Sequence, residues 1–160
     1  MTASCDNSGK TESAAFNTLL ELMLSDSVPV ISVDELSSIK DSVTILDARD
    51  SKEYSVSRIP GAIHVGFEDF DMARISHVPK DRPVVVYCSV GYRSEKIGEK
   101  LNNAGFDEVR NLYGGIFEWV NQNKTVVDDD GPTQKIHPYS MLWSTWITND
   151  QINTAYENSK

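Results

Sequence analysis

The stretch Val84–Gly98, VVVYCSVGYRSEKIG, decides how the rest of the chain is read. It opens on an unbroken apolar run, with Pro83 ahead of it where a missing N–H is tolerated; this predicts a strand covered on both faces. Cys88 follows directly. A short loop with Gly91 and Arg93 comes next, and then Ile97, Leu101 and Ala104 recur at helical spacing until Gly105 can close the helix. A doubly covered strand that feeds a helix belongs in a mainly parallel α/β sheet with helices on both faces.

The flanking sequence repeats this alternation. VPVISVDELSSI, from Val28, reads as a short strand and one helical turn capped near Ser32 or Asp34, and VTILDARD, from Val43, as a buried strand ending in charge. SKEYSVSRIPGAIHV places a short helix around Glu53, a turn at Ile59-Pro60-Gly61 and a brief strand over Ala62 to Val65. GFEDFDMARI, from Gly66, has helical spacing. DEVRNL, from Asp107, supplies another strand, and YGGIFEWVNQ a last core helix through Ile116, Trp119 and Val120. Upstream, Ser13 can cap a helix that places Phe16, Leu19, Leu20, Met23 and Leu24 on one face, broken over Ser25 to Pro29.

The 160 residues suit one domain with tails: a mobile polar segment 1–12, a domain over 13–124, and a C-terminal extension 125–160. In that extension Gly131-Pro132 marks a turn or loop. Met141, Leu142, Trp143 and Trp146 are expected to lie back on the domain, because an exposed patch of that kind is unusual in a monomer. Residues 149–160 read as a polar helix or frayed tail.

Lys and Arg number 15 against 24 Asp and Glu, a formal charge of −9. No broad basic face is available for nucleic acid or anionic lipid, and the acidity is read as solubility before docking. Cys5 and Cys88 stand far apart and make no disulfide framework. His64, His77 and His137 are scattered without ligand spacing, so no metal is expected. The start MTASCDNSGKTES has no leader pattern, and no apolar run reaches membrane-spanning length. A cytoplasmic setting with Cys88 as a free thiol is expected.

Ligands of parallel α/β sheets bind beyond the carboxyl ends of strands, which is where Cys88 falls. Gly91 permits a tight turn in which backbone N–H groups converge ahead of a helix N-terminus, and Arg93 adds fixed charge. Both favour thiolate over thiol. Without them, a buried inert thiol would be the preferred reading of Cys88.

Three stretches, LDARDSKEYSVSRIPGAIHV, VVVYCSVGYRSEKIGEKLNNAGF and VRNLYGGIFEW, resemble the signature regions of rhodanese domains in order and spacing. The resemblance covers about Val30 to Asn121. It implies the rhodanese-like fold, with a mainly parallel five-stranded sheet, and a sulfurtransferase needing no metal or organic cofactor. Cys88 would carry sulfane sulfur as a persulfide between a donor (thiosulfate, 3-mercaptopyruvate or a protein persulfide) and a thiophilic acceptor such as cyanide, a thiol or a partner protein. Ser89, Val90, Gly91, Tyr92 and Arg93 would cradle it, while Asp47 and Arg49 brace the region.

Related phosphatases carry one residue more between cysteine and arginine, so the four residues between Cys88 and Arg93 favour sulfur over phosphate. None of the four is charged, which makes thiosulfate a poor donor by expectation. Tyr92 either flanks the pocket as an apolar wall or packs beside the helix. Ser57-Arg58 stands where many members have Gly-His, so no general base is assigned there, and His64 is read as structural. The alternative from another class is a non-catalytic binding or regulatory module, docking through the acidic surface or the tryptophan-bearing tail.

Overall fold

β4 (Val84–Tyr87) lies at the centre of a five-stranded sheet in a computed structural model that describes residues 10–157. The sheet runs β1 (Val30–Ile31), β5 (Val109–Leu112), β4, β2 (Thr44–Asp47), β3 (Ile63–His64), with every neighbouring pair parallel. The connecting helices are α1 (Ala14–Met23), α2 (Val33–Ile39), α3 (Ser51–Val56), α4 (Tyr92–Asn103) and α5 (Gly115–Asn121).

The unbroken apolar run of β4 is explained by two cores. Val85 and Tyr87 join the cluster built by Phe16 and Leu20 of α1, Val33 and Leu36 of α2, and Ile116 to Val120 of α5. Val84 and Val86 face the other side, with Ile97 and Leu101 of α4 and the loop residues Ile75 and Val78. Each side chain alternates between sheet faces, but both faces are dry, so the sequence shows no alternation.

Local chemistry sets the helix starts. Ser13 accepts the Phe16 N–H, Ser32 rather than Asp34 accepts the Glu35 N–H, and Asp50 and Glu53 form a reciprocal capping box at α3. Gly105, at φ +95°, follows α4 and lets the Phe106 N–H return to Leu101 O, as its place at C′ predicts.

Several expectations need correction. GFEDFDMARI forms only a 3₁₀ turn over Met72–Ile75, capped by Asp71. Its Phe67 and Phe70 pack on the second core from irregular chain and Met72 from the start of the 3₁₀ turn, so helical spacing arose without an α-helix. The ordered chain also begins before Ser13. Thr11 is buried and donates its N–H to Asn17 Oδ1 at 2.6 Å, while the Glu12 N–H reaches Glu118 Oε1 at 2.9 Å. The rest of the expected mobile segment, residues 1–9 with Cys5, lies outside the described residues.

The extension is strand-rich. β6 (Val126–Asp128) and β7 (Gly131–Thr133) make an antiparallel hairpin, so Gly131-Pro132 starts a strand and Asp129-Asp130 make the turn. β8 (Lys135–Ile136) pairs in parallel with β9 (Asn153–Thr154), in the region read as polar helix or tail. Asn153 and Thr154 are exposed, which leaves no apolar signal for a strand. Between β8 and β9 the chain loops over the domain. Trp146 stacks on Phe16 with ring centroids 5.2 Å apart, and Trp143 packs on the first core. Met141 and Leu142, expected there too, are instead 82% and 80% exposed.

Candidate active site

Cys88 follows β4 at the carboxyl end of the sheet and is buried. Two elements fix its backbone. The first N–H groups of α5 turn back on the loop, Ile116 donating to Cys88 O at 3.0 Å and Phe117 to Ser89 O at 3.2 Å. This approach requires Gly115: at φ +60°, an added Cβ would lie 2.5 Å from Cys88 O and 2.4 Å from Ser89 O. Gly91, at φ +132°, turns the chain so that its own N–H points at Cys88 Sγ, 3.1 Å away.

A second partner of the sulfur comes from α4. Ser94 Oγ lies 3.4 Å from Sγ and donates to Asn111 Oδ1 at 2.6 Å. Asn111, on β5 and fully buried, in turn donates Nδ2–H to Gly91 O at 2.9 Å. Asn111 therefore holds both the glycine carbonyl and the serine that flank the sulfur. Neither Ser94 nor Asn111 was singled out from the sequence; a buried polar residue in a core strand is the signal that could have drawn attention to Asn111.

Arg93 closes the loop but is already paired. Its Nη1 and Nη2 donate to Glu53 Oε2 and Oε1 at 2.7 and 2.8 Å, and Nη2 also meets Ser89 Oγ at 2.9 Å. Glu53 is wholly buried and further accepts the Asp50 N–H and the Ser89 hydroxyl. Burial pushes its carboxyl up, but the Arg93 hydrogen bonds and charge, with the Arg49 charge and the Asp50 N–H, bring it down to about 2. Arg93 is correspondingly raised: burial works against its charge, and the Glu53 hydrogen bonds together with the facing Cys88 and Glu53 more than offset burial. The capping pattern Asp50-x-x-Glu53 is legible in sequence, whereas the pairing of Glu53 with a residue forty positions away is not.

Asp47 and Arg49 form a separate buried pair below the site. Arg49 Nη2 donates to Asp47 Oδ2 at 2.6 Å and to Ser57 O at 2.7 Å, and the Tyr87 hydroxyl donates to the same Oδ2 at 2.6 Å. Burial and the Asp47 charge hold the Tyr87 phenol well above its ordinary range. This pair ties the ends of β2 and β4 together; neither residue is hydrogen-bonded to the Cys88 sulfur, whose partners are Gly91 and Ser94. His64 gives its Nε2 to Arg49 O at 2.7 Å and packs on Tyr54, the structural role expected of it.

A cavity of about 160 Å³ opens over the sulfur, with Cys88, Ser89, Val90 and Arg93 in its lining. Tyr92 is 44% exposed and forms part of the wall. Among the described residues, no group of three His, Cys, Asp or Glu could hold a metal ion, and no helix is long and apolar enough to cross a membrane. A buried thiol at a strand end, an amide aimed at it, a glycine-turned loop and an arginine at the helix start come together on this parallel α/β fold as the candidate site.

The rhodanese-like domain family model matches residues 32–122, and the chain belongs to that family. A sulfurtransferase of Allochromatium vinosum is 34% identical over 91 residues, which take up 57% of this chain and 84% of that protein. Thiosulfate sulfurtransferase GlpE of Coxiella burnetii is 32% identical over 90 residues, covering 54% of this chain and 79% of the relative. Other relatives are longer: the chain spans 16% of a tRNA sulfurtransferase of Desulfurococcus amylolyticus, at 36% identity over 83 residues. The rhodanese-like domain of an Anabaena protein superposes with a TM-score of 0.58 at 28% identity, covering 62% of this chain and 79% of that one.

Proposed function

We propose that the protein is a sulfurtransferase in which Cys88 carries the sulfur. The observation that carries this reading is the Gly91 N–H set 3.1 Å from Cys88 Sγ at the floor of an open cavity, in a loop of the short sulfur-transfer length. A thiolate there attacks the outer sulfur of a donor. The new S–S bond forms as the donor's bond to that sulfur breaks, and the donor leaves with the electron pair. The persulfide's terminal sulfur is then taken by a thiophilic acceptor, which restores the thiolate. No outside oxidant enters: thiosulfate and a protein persulfide bring sulfane sulfur, and with 3-mercaptopyruvate attack on its one sulfur breaks the C–S bond, the pyruvate enolate leaving with the electron pair.

The chain supplies three things to these steps. The Gly91 amide faces the charge on sulfur, the α5 N–H groups hold the loop carbonyls away from it, and Arg93 gives a positive edge that Glu53 partly neutralises. Thiosulfate, 3-mercaptopyruvate and a protein persulfide are the donor classes, and cyanide, a small thiol or a protein thiol the acceptors. Incubation with each donor should add the mass of one sulfur atom to the intact protein, and cyanide should remove it. Cys88→Ser should take up none; sulfur on that variant, or none on the native chain from any donor, would end the proposal.

A further inference from the structure

The cavity over Cys88 is only partly made by the family region. Val90 and Tyr92 line it from residues 32–122, but Met23, Tyr139 and Trp143 reach it from the two segments outside that match. Met23 ends α1, whereas Tyr139 and Trp143 lie on the strap between β8 and β9. The strap is a built element. The β8–β9 pair closes its base, and Asn121 and Asn149 tie it to α5: Asn121 Nδ2 donates to Trp146 O at 2.9 Å, and Asn149 Nδ2 to Val120 O at 2.8 Å. Tyr139 itself is pinned at φ +65°, its N–H donated to Nδ1 of the buried His137 at 2.9 Å.

Tyr139 also screens the charge of the site. The guanidinium of Arg93 sits 4.8 Å from the Tyr139 ring centroid, and its other edge is taken by Glu53. Among the described residues, Arg93 is the one cation lining the cavity. Beyond Tyr139 and Arg93 lies a second groove of about 430 Å³, whose lining includes Asp50, Glu68 and Asp69. A dianion entering by that side meets carboxylates, and a dianion at Cys88 meets one shielded arginine and apolar walls.

We infer that Tyr139 and Trp143 of the C-terminal strap, with Met23, determine donor specificity, selecting an organic sulfur donor with an apolar substituent over inorganic thiosulfate. The inference deepens the sulfur-transfer reading and depends on it. With benzenethiosulfonate, the Cys88 thiolate bonds to the terminal sulfur, the bond from that sulfur to the sulfonyl group breaks, and benzenesulfinate leaves with the electron pair. Its phenyl group would bury surface against the apolar lining of Met23, Tyr139 and Trp143, where thiosulfate offers nothing to bury. A few methylenes' worth of apolar contact discriminates by about tenfold or more.

The test compares kcat/KM for benzenethiosulfonate and thiosulfate, with cyanide as acceptor, in the full chain. Since the donors differ in intrinsic reactivity, the ratio in each variant is divided by the native ratio; this also cancels any difference in the fraction of folded protein. Tyr139→Ala should raise thiosulfate turnover, lower benzenethiosulfonate turnover and reduce the ratio about tenfold. Trp143→Ala should lower benzenethiosulfonate turnover alone, and Tyr139→Phe should keep the native ratio. Unchanged ratios in both alanine variants would overturn the inference while leaving sulfur transfer standing. Sulfur uptake from neither donor would overturn both.

Discussion

Replacing Glu53 by glutamine isolates the charge on which Arg93 depends. Glutamine can still serve as the third helical residue of a capping box, so the α3 cap is retained and the change is electrostatic. In the native protein the Glu53 carboxyl is brought down to about 2 from an ordinary value of 4.5, a gap worth about 3 kcal/mol. Breaking a buried ion pair from one side costs about 3–5 kcal/mol, and Arg93 retains slight solvent contact, which puts the loss near the lower end. Two routes thus agree on about 3 kcal/mol near neutral pH. Because the folded state binds the proton less tightly than the unfolded one, this stability is complete above 4.5 and is lost as pH falls toward 2. Urea unfolding of Glu53→Gln and native protein should therefore show a wide gap at neutral pH that narrows through this window. A gap below about 1 kcal/mol at neutral pH, or one that persists in acid, would refute the reasoning.

Three other changes probe separate parts of the structure. Tyr87→Phe removes a hydroxyl that donates to Asp47 Oδ2 and accepts the Ile59 N–H, all three buried; it should cost about 1–3 kcal/mol in urea unfolding and leave Cys88 alkylation unchanged. Gly115→Ala drives a Cβ into the Cys88 and Ser89 carbonyls from a left-handed backbone position, and should cost about 3 kcal/mol or more; a melting temperature equal to that of the native protein would contradict the close approach of α5. His137 is lowered from 6.5, chiefly because it is buried; Glu53 and Asp50 pull it up, and Arg49 and Arg93 push it down. Its stabilising contribution is present above 6.5 and is lost as pH falls below. Protonation also ends its acceptance of the Tyr139 N–H. Native protein should therefore lose stability as pH falls below 6.5, and His137→Asn, which keeps an acceptor that does not titrate, should lose less.

The legible parts of this protein are those whose cause is local. The continuous apolar run of β4 announces a strand dry on both faces, and the two clusters on Val84/Val86 and Val85/Tyr87 show why. Gly91 and Arg93 could be read because both lie within a few residues of Cys88. Glu53 could not, since its position between Arg93 and Ser89 depends on β2 and β4 being neighbours. Asn111 and Ser94 meet only when α4 packs beside β5. The extension is the least legible part of the chain. β8 and β9 are two residues each, β9 is exposed, and their pairing across a long loop leaves no periodic trace. Tyr139 reaches the site by that route, through a contact distant in sequence and held by a histidine that showed no ligand spacing.

The most direct measurement is a half-reaction. The protein is loaded with a donor, freed of it by gel filtration, and mixed with cyanide in the absence of any donor. Transfer through a Cys88 persulfide predicts one thiocyanate per loaded chain, with the thiol at Cys88 recovered. Thiocyanate formed only when donor and cyanide are present together would contradict it.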